Sequence, residues 1–153
     1  MEQETQNMYG KVILLKGDWS LVKRLCMSLS AKLQPVSDIM FIDTCNMFDI
    51  LCLPLKEREY LLERIRIARP FSLKHLRNLI SIVPNQPSKV LIISSLDAMF
   101  ASKHPKDAAF VFQQMLSQLQ HITKKNNIIT IVGYEGLIPF KLVEKYVDCA
   151  YLV

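Results

Sequence analysis

The chain has 153 residues and a formal charge of +5; half of it is hydrophobic, 22% is charged, and it holds seven prolines and four glycines. This composition excludes a disordered, collagen-like or low-complexity protein and predicts one domain large enough to bury a core. The basic excess permits an acidic partner or a nucleic acid without demanding either.

The first ten residues, MEQETQNMYG, lack the basic start and apolar core of a signal peptide, and no apolar run reaches membrane-spanning length, so a soluble intracellular protein is expected. These residues read as a short tail ahead of a domain spanning 11–153. Lys11 to Lys16 then reads as a strand, Gly17 as a sharp turn, and the run to Leu33 as a helix capped by Asp18 or Ser20. Asp38 to Thr44 has the apolar run of a buried parallel strand. A short helix is expected within Pro54 to Glu63, and Arg64 to Ala68 alternates like a strand near a sheet edge. Ser72 is placed to cap a helix whose Leu73, Leu76, Leu79, Ile80 and Val83 share one face, with Phe71 stapling onto Leu76.

Pro84 and Pro87 end that helix. Lys89 to Ser95 is the most apolar strand and is expected at the sheet centre. A helix to about Lys125 should bury Ala108, Phe112, Met115, Leu116, Leu119 and Ile122, and Asn126-Asn127 should break it. Ile128 to Gly133 reads as another buried strand, followed by a short helix and a terminal strand, DCAYLV. Strands alternating with helices predict right-handed crossovers and a mainly parallel sheet covered on both faces, an α/β fold.

Chemistry-bearing residues are sparse. Cys26, Cys45, Cys52 and Cys149 form no C-x-x-C pair and lie in or beside apolar runs, which predicts buried free thiols in a reducing compartment. His75, His104 and His121 are far apart, so no metal site is expected. Lys56 to Arg77 holds seven basic residues against three glutamates, a candidate basic patch.

The octet Gly17 to Arg24 has the length of a P-loop, G-x-x-x-x-G-K-[ST], with Gly17 and Lys23 in register. Val22 stands where the second glycine lets backbone approach phosphate, and Arg24 stands where a hydroxyl should ligate magnesium. Asp18 and Trp19 add negative charge and bulk beside the same turn.

With that turn, FIDTCNMFD (Phe41 to Asp49) resembles the ATPase core of the RecA/RadA recombinase family, whose second strand ends in Tyr-Ile-Asp-Thr-Glu-x-x-Phe. The likeness continues in order: IARPFSLKHL (Ile67 to Leu76) resembles the family's Ala-Arg-x-Phe segment, VLIISS its Walker B strand, and NIITIVGY the strand leading to its second DNA loop.

The resemblance implies a RecA-like P-loop-NTPase-type core with the catalytic equipment degraded. The activating glutamate falls at Cys45, the Walker B aspartate at Ser94 and the γ-phosphate-sensing glutamine at Tyr134, so with Val22 and Arg24 five positions tied to hydrolysis are changed. Gly17 and Lys23 are then vestigial, and no cofactor and no catalysis are expected. The short loops after Val90–Ser95 and Asn127–Tyr134, and the missing Phe-x-x-Ala linker, imply no self-filament.

A pseudo-ATPase paralogue is therefore expected, pairing with another paralogue or with the recombinase itself in DNA repair and homologous recombination, in the nucleus of a eukaryote or the cytoplasm and nucleoid otherwise. Asp18, Trp19 and Arg24 are its candidate partner contacts; Lys103, Lys106, Lys124, Lys125, Arg66, Arg69 and Arg77 are its candidate contacts to single-stranded DNA. Two rival readings are an ATPase using Lys23, with Asp43 or Asp97 replacing the lost carboxylates, and a RecA-fold adaptor unrelated to recombination.

Overall fold

A computed structural model describes residues 2–101 and 104–153. Its centre is a six-stranded, all-parallel sheet: β1 (Val12–Lys16), β2 (Ile39–Ile42), β3 (Ile65–Ala68), β4 (Val90–Ile93), β5 (Ile129–Tyr134) and β6 (Cys149–Leu152), in the spatial order β3-β2-β4-β5-β1-β6. The most apolar runs, β4 and β5, take the two central places, and the alternating β3 lies at an edge, as patterning predicts.

Chain direction explains the layers. From β1 through α2 (Trp19–Leu33) to β2, and through α3 (Leu55–Arg64) to β3, the chain moves one way across the sheet. It then returns through α4 (Leu73–Ile82) to β4 and α5 (Pro105–Lys125) to β5. Right-handed crossovers put the outward and returning helices on opposite faces. Side chains on β1 alternate accordingly: Ile13 and Leu15 join the core under α2, with Val22, Cys26, Met27 and Leu61; Val12 and Leu14 join the core under α4 and α5, with Leu76, Ile80, Phe112 and Leu119.

All six α5 residues expected on the apolar face are buried, and Ser72 caps α4 by accepting from the His75 N–H at 3.1 Å. Asn126 caps the end of α5 and Asn127 turns the chain at φ 50°. At the other end of the same turn, Gly10 N–H donates to the Ile128 carbonyl, while α1 (Glu2–Gln6) leads Met8 and Tyr9 onto the core. Met8, Tyr9 and Gly10 are therefore held against the domain.

Three expectations are corrected. Phe71 does not staple to Leu76: its ring is 87% exposed and lies on His75, with 4.5 Å between centroids. The segment after Leu137 forms two 3-10 turns, Phe140–Leu142 and Glu144–Tyr146, in place of a helix, because Val143 between them is drawn fully into the core. Only Cys26 is a buried thiol; Cys45 and Cys149 are half-buried, and Cys52 is exposed on the 3-10 turn Ile50–Cys52. No helix among the described residues is long and apolar enough to cross a membrane.

Candidate functional site

In a parallel sheet, ligands bind beyond the carboxyl ends of the strands, where neighbouring strands send their connections to opposite faces. Here β1 leads to α2 on one face and its neighbour β5 to the 3-10 turns on the other; β2 and β4 diverge in the same way. The rim formed by the ends of β1, β2, β4 and β5 collects Gly17, Lys23, Asp43, Cys45, Ser94 and Tyr134, which lie scattered along the sequence.

At the end of β1, Asp18 is the residue that caps α2. Its carboxylate accepts from Ser20 N–H at 2.9 Å and from Ser20 Oγ at 2.5 Å, and these bonds hold its pKa below the ordinary carboxylate value. The positive end of the helix thus already faces an internal anion. Gly17 has a local cause as well. A Cβ there would stand 2.3 Å from the Val153 carbonyl oxygen, whose residue donates its N–H to Lys16. Val22 is buried in the core against Gly133, so its methyls occupy interior volume.

Lys23 and Arg24 point to different surroundings. The Lys23 ammonium is 3.0 Å from Asp49 Oδ2 and 5.3 Å from the centre of the Trp19 ring. The Asp49 hydrogen bond raises the Lys23 pKa, and Lys23, followed by the Leu51 N–H, lowers that of Asp49. Arg24 is exposed and lines a shallow groove with Ser28, Asp49, Leu51 and Glu57. Asp18 and Trp19 are also exposed, so all three proposed partner contacts are on the surface.

Beyond β2 and β4 lies a closed polar network. Buried Asp43 accepts from Met47 N–H (2.7 Å) and Ser94 Oγ (3.3 Å) on one oxygen, and from Phe48 N–H (3.2 Å) and Arg69 Nε (3.3 Å) on the other. Those four donors match the four acceptor sites of a carboxylate. Ser94 Oγ in turn accepts from Thr44 N–H at 2.9 Å, and Thr44 Oγ1 bridges to the backbone of Ser95. Cys45 Sγ lies 3.7 Å from Ser94 Oγ; burial raises its pKa, with Ser94 and the Trp19 indole opposing that shift.

The third strand end is organised by Asp97, which is fully buried. It accepts from Glu135 N–H (2.9 Å), Leu137 N–H (2.8 Å) and Ser95 Oγ (3.3 Å), so it folds the loop after β5. Tyr134 is buried beside it and its hydroxyl donates to the Ile138 carbonyl; burial and the Asp97 charge raise the tyrosine pKa. Among the described residues, no group of three or more His, Cys, Asp or Glu is arranged to hold a metal ion.

The candidate DNA residues separate into engaged and open groups. Arg66 donates to Gln86 at 3.1 Å, Arg69 is held by Asp43, and Lys124 lies 4.0 Å from Asp148. Arg77, Lys106 and Lys125 are exposed, and Lys103 is outside the described residues. The run from Lys56 to Arg77 is therefore no single patch: Arg58 binds the Leu53 and Leu51 carbonyls and Arg64 pairs with Asp38, on other elements than Arg77. Asp49 as the partner of Lys23 and Asp97 as a loop organiser were not visible as site residues, since both roles depend on contacts across the fold.

No protein-family model matches this chain, and no curated protein sequence matches it.

Proposed function

We propose that the chain is a non-catalytic RecA-like recombinase paralogue, a partner-binding accessory factor in homologous recombination and DNA repair. The observation that carries this reading is the Lys23–Asp49 pair: the one P-loop-like cation is met by a carboxylate of the same chain, 3.0 Å away. The strand order and the parallel sheet are consistent with a RecA-like core. Asp43 and Asp97, the carboxylates that an unorthodox ATPase would need, spend three or four acceptor sites each on internal donors.

A partner surface is available beside this rim. Trp19, Leu21, Leu51 and Leu55 are exposed on the first turns of α2, the 3-10 turn and α3, next to Arg24. Exposed apolar groups rimmed by charge suit a protein interface. The partner in this reading is another recombinase paralogue or the recombinase itself.

The test is a pull-down from native extract with the bound proteins identified. A recombinase-family protein is expected in the bound fraction and is expected to be lost with Trp19→Ala combined with Arg24→Glu. A bound fraction without any such protein removes the reading.

A further inference from the structure

We infer that the outer edge of β6 is a self-association site: two copies of this chain pair their β6 strands antiparallel about a two-fold axis at Tyr151, joining two six-stranded sheets into one. This pairing is independent of the accessory-factor reading and uses none of Trp19, Leu21, Leu51 and Leu55.

The two edges of the sheet are protected unequally. The β3 edge carries exposed Arg66, with Arg64 just before the strand and Pro70 just after it, and charge and proline keep an edge strand from pairing. The run CAYLV, from Cys149 to Val153, holds no charge, proline or glycine. Ala150, Tyr151 and Leu152 are nevertheless exposed, Tyr151 by 56% and Leu152 by 87%. Among the described residues, β1 is the one strand paired with β6. An apolar edge left open in this way is a template for another strand.

The backbone fixes which groups this edge offers. Val153 donates its N–H to the Lys16 carbonyl, and backbone direction alternates along a strand. Cys149, Tyr151 and Val153 therefore turn their backbone groups to β1, while Ala150 and Leu152 turn theirs outward. An antiparallel partner must set its own outward residues opposite these two. With the axis at Tyr151, Ala150 of each copy faces Leu152 of the other, and each of these two pairs exchanges both of its N–H to carbonyl bonds.

Side-chain size and charge select a second copy as the occupant. In that register the large, exposed Leu152 lies opposite small Ala150 on one face of the joined sheet. On the other face, where Cys149 and Val153 pack on the core under α2, the two Tyr151 rings meet at the axis. Self-pairing of residues 149–153 opposes no like charges, because the run is neutral. The two-fold contact uses up both open edges and leaves the guarded β3 edges outside, so the assembly closes at two copies. One short strand is a small interface, so the dimer should be weak, half-formed at about 10–100 μM.

The test is sedimentation equilibrium of the purified full chain from about 1 to 300 μM, where the mass should rise from one chain to two and stop. Tyr151→Lys opposes two ammonium groups at the axis and should weaken association at least about tenfold, whereas Leu55→Lys, at the exposed start of α3, should change it less than about twofold. Two chains of +5 repel each other, so association should tighten as salt rises. The axis brings the two Tyr151 Cα atoms to about 4.5 Å, within disulfide range. In a Cys52→Ser background, mild oxidation should therefore cross-link Tyr151→Cys and leave Leu62→Cys, exposed on α3, a monomer. Circular dichroism checks that each variant folds.

A single chain at every concentration, growth past two copies, or equal association of wild type and Tyr151→Lys overturns the inference. So does a dimer lost in Leu55→Lys instead, or a Tyr151→Cys chain that cross-links no faster than Leu62→Cys. Each result stands apart from the pull-down: a recombinase captured by a strictly monomeric chain would sink the self-pairing alone, and a closed dimer with no recombinase captured would sink the accessory-factor reading alone.

Discussion

The Lys23 ammonium is bound to the Asp49 carboxylate, and Asp49 is in turn fixed by the Leu51 N–H at 3.0 Å. The lysine near the start of α2 is thereby given a carboxylate of its own chain. The same carboxylate starts the 3-10 turn that carries Leu51 into solvent, so one residue both neutralises the lysine and shapes the neighbouring surface.

Nucleotide binding should be absent. Calorimetric titration with Mg-ATP is expected to give no saturable heat at micromolar concentration for the wild type, for Lys23→Ala and for Asp49→Ala. Freeing the lysine is insufficient, because Asp18 still caps α2 with negative charge. Micromolar binding that disappears in Lys23→Ala would contradict the pseudo-ATPase reading.

The pair also fixes a pH profile. Asp49 has a depressed pKa, so its contribution is present above the ordinary value of 3.8 and is lost as pH falls through the lower folded value. Lys23 has a raised pKa, so its contribution is complete below 10.5 and is lost as pH rises through the higher folded value. The melting-temperature gap between wild type and Asp49→Asn should be flat from about pH 5 to 9 and close in acid. Being only half-buried, the pair should give a small gap that shrinks with salt.

Most of the fold was legible because its cues are local or periodic. Asp18 and Ser72 sit where caps belong, Asn126-Asn127 ends α5, and uninterrupted apolar runs mark β4 and β5. The misreadings share a different cause. Cys52 follows two apolar residues yet is exposed, because Ile50–Cys52 forms a surface turn started by Asp49. Arg69 looks like a free cation in sequence, and only the approach of β2 to β3 brings Asp43 to it. Gly17 carries an ambiguous signal: a glycine is required by the neighbouring Val153 backbone just as it would be by a phosphate.

Asp97 should be a stability residue. Asp97→Ala leaves the Glu135 and Leu137 N–H groups without their acceptor in a buried loop and is expected to cost about 3–5 kcal/mol. Asp97→Asn keeps one carbonyl acceptor and should cost less. Urea denaturation measures both, and a loss below about 1 kcal/mol for Asp97→Ala would show that the loop folds without it.

Gly133→Ala probes the seam between β4 and β5. The added Cβ would fall 1.8 Å from the Ser94 carbonyl oxygen, a backbone atom fixed in the sheet, so the two strand ends must separate. A loss of about 3 kcal/mol or more is expected, exceeding ordinary overpacking because no side chain can rotate away. Gly10→Ala changes a turn glycine with a 3.4 Å neighbour at the same Cβ position, so its cost is strain at φ 74°. Equal urea midpoints for wild type and Gly133→Ala would refute the close approach.

Thiol reactivity should follow exposure and ionisation. Burial pushes the Cys26 pKa up to about 12, so at pH 8 only about one molecule in ten thousand carries that thiolate, and the sulfur is shielded by α2 and the sheet. Cys45, half-buried with a raised pKa, should react slowly. Cys52, exposed on its 3-10 turn, should be alkylated first. Timed iodoacetamide labelling read by peptide mass spectrometry should therefore mark Cys52 ahead of Cys45 and leave Cys26 intact until denaturant is added. Early modification of Cys26 in folded protein would mean that α2 opens from the sheet, undoing the packing that buries Val22 beside it.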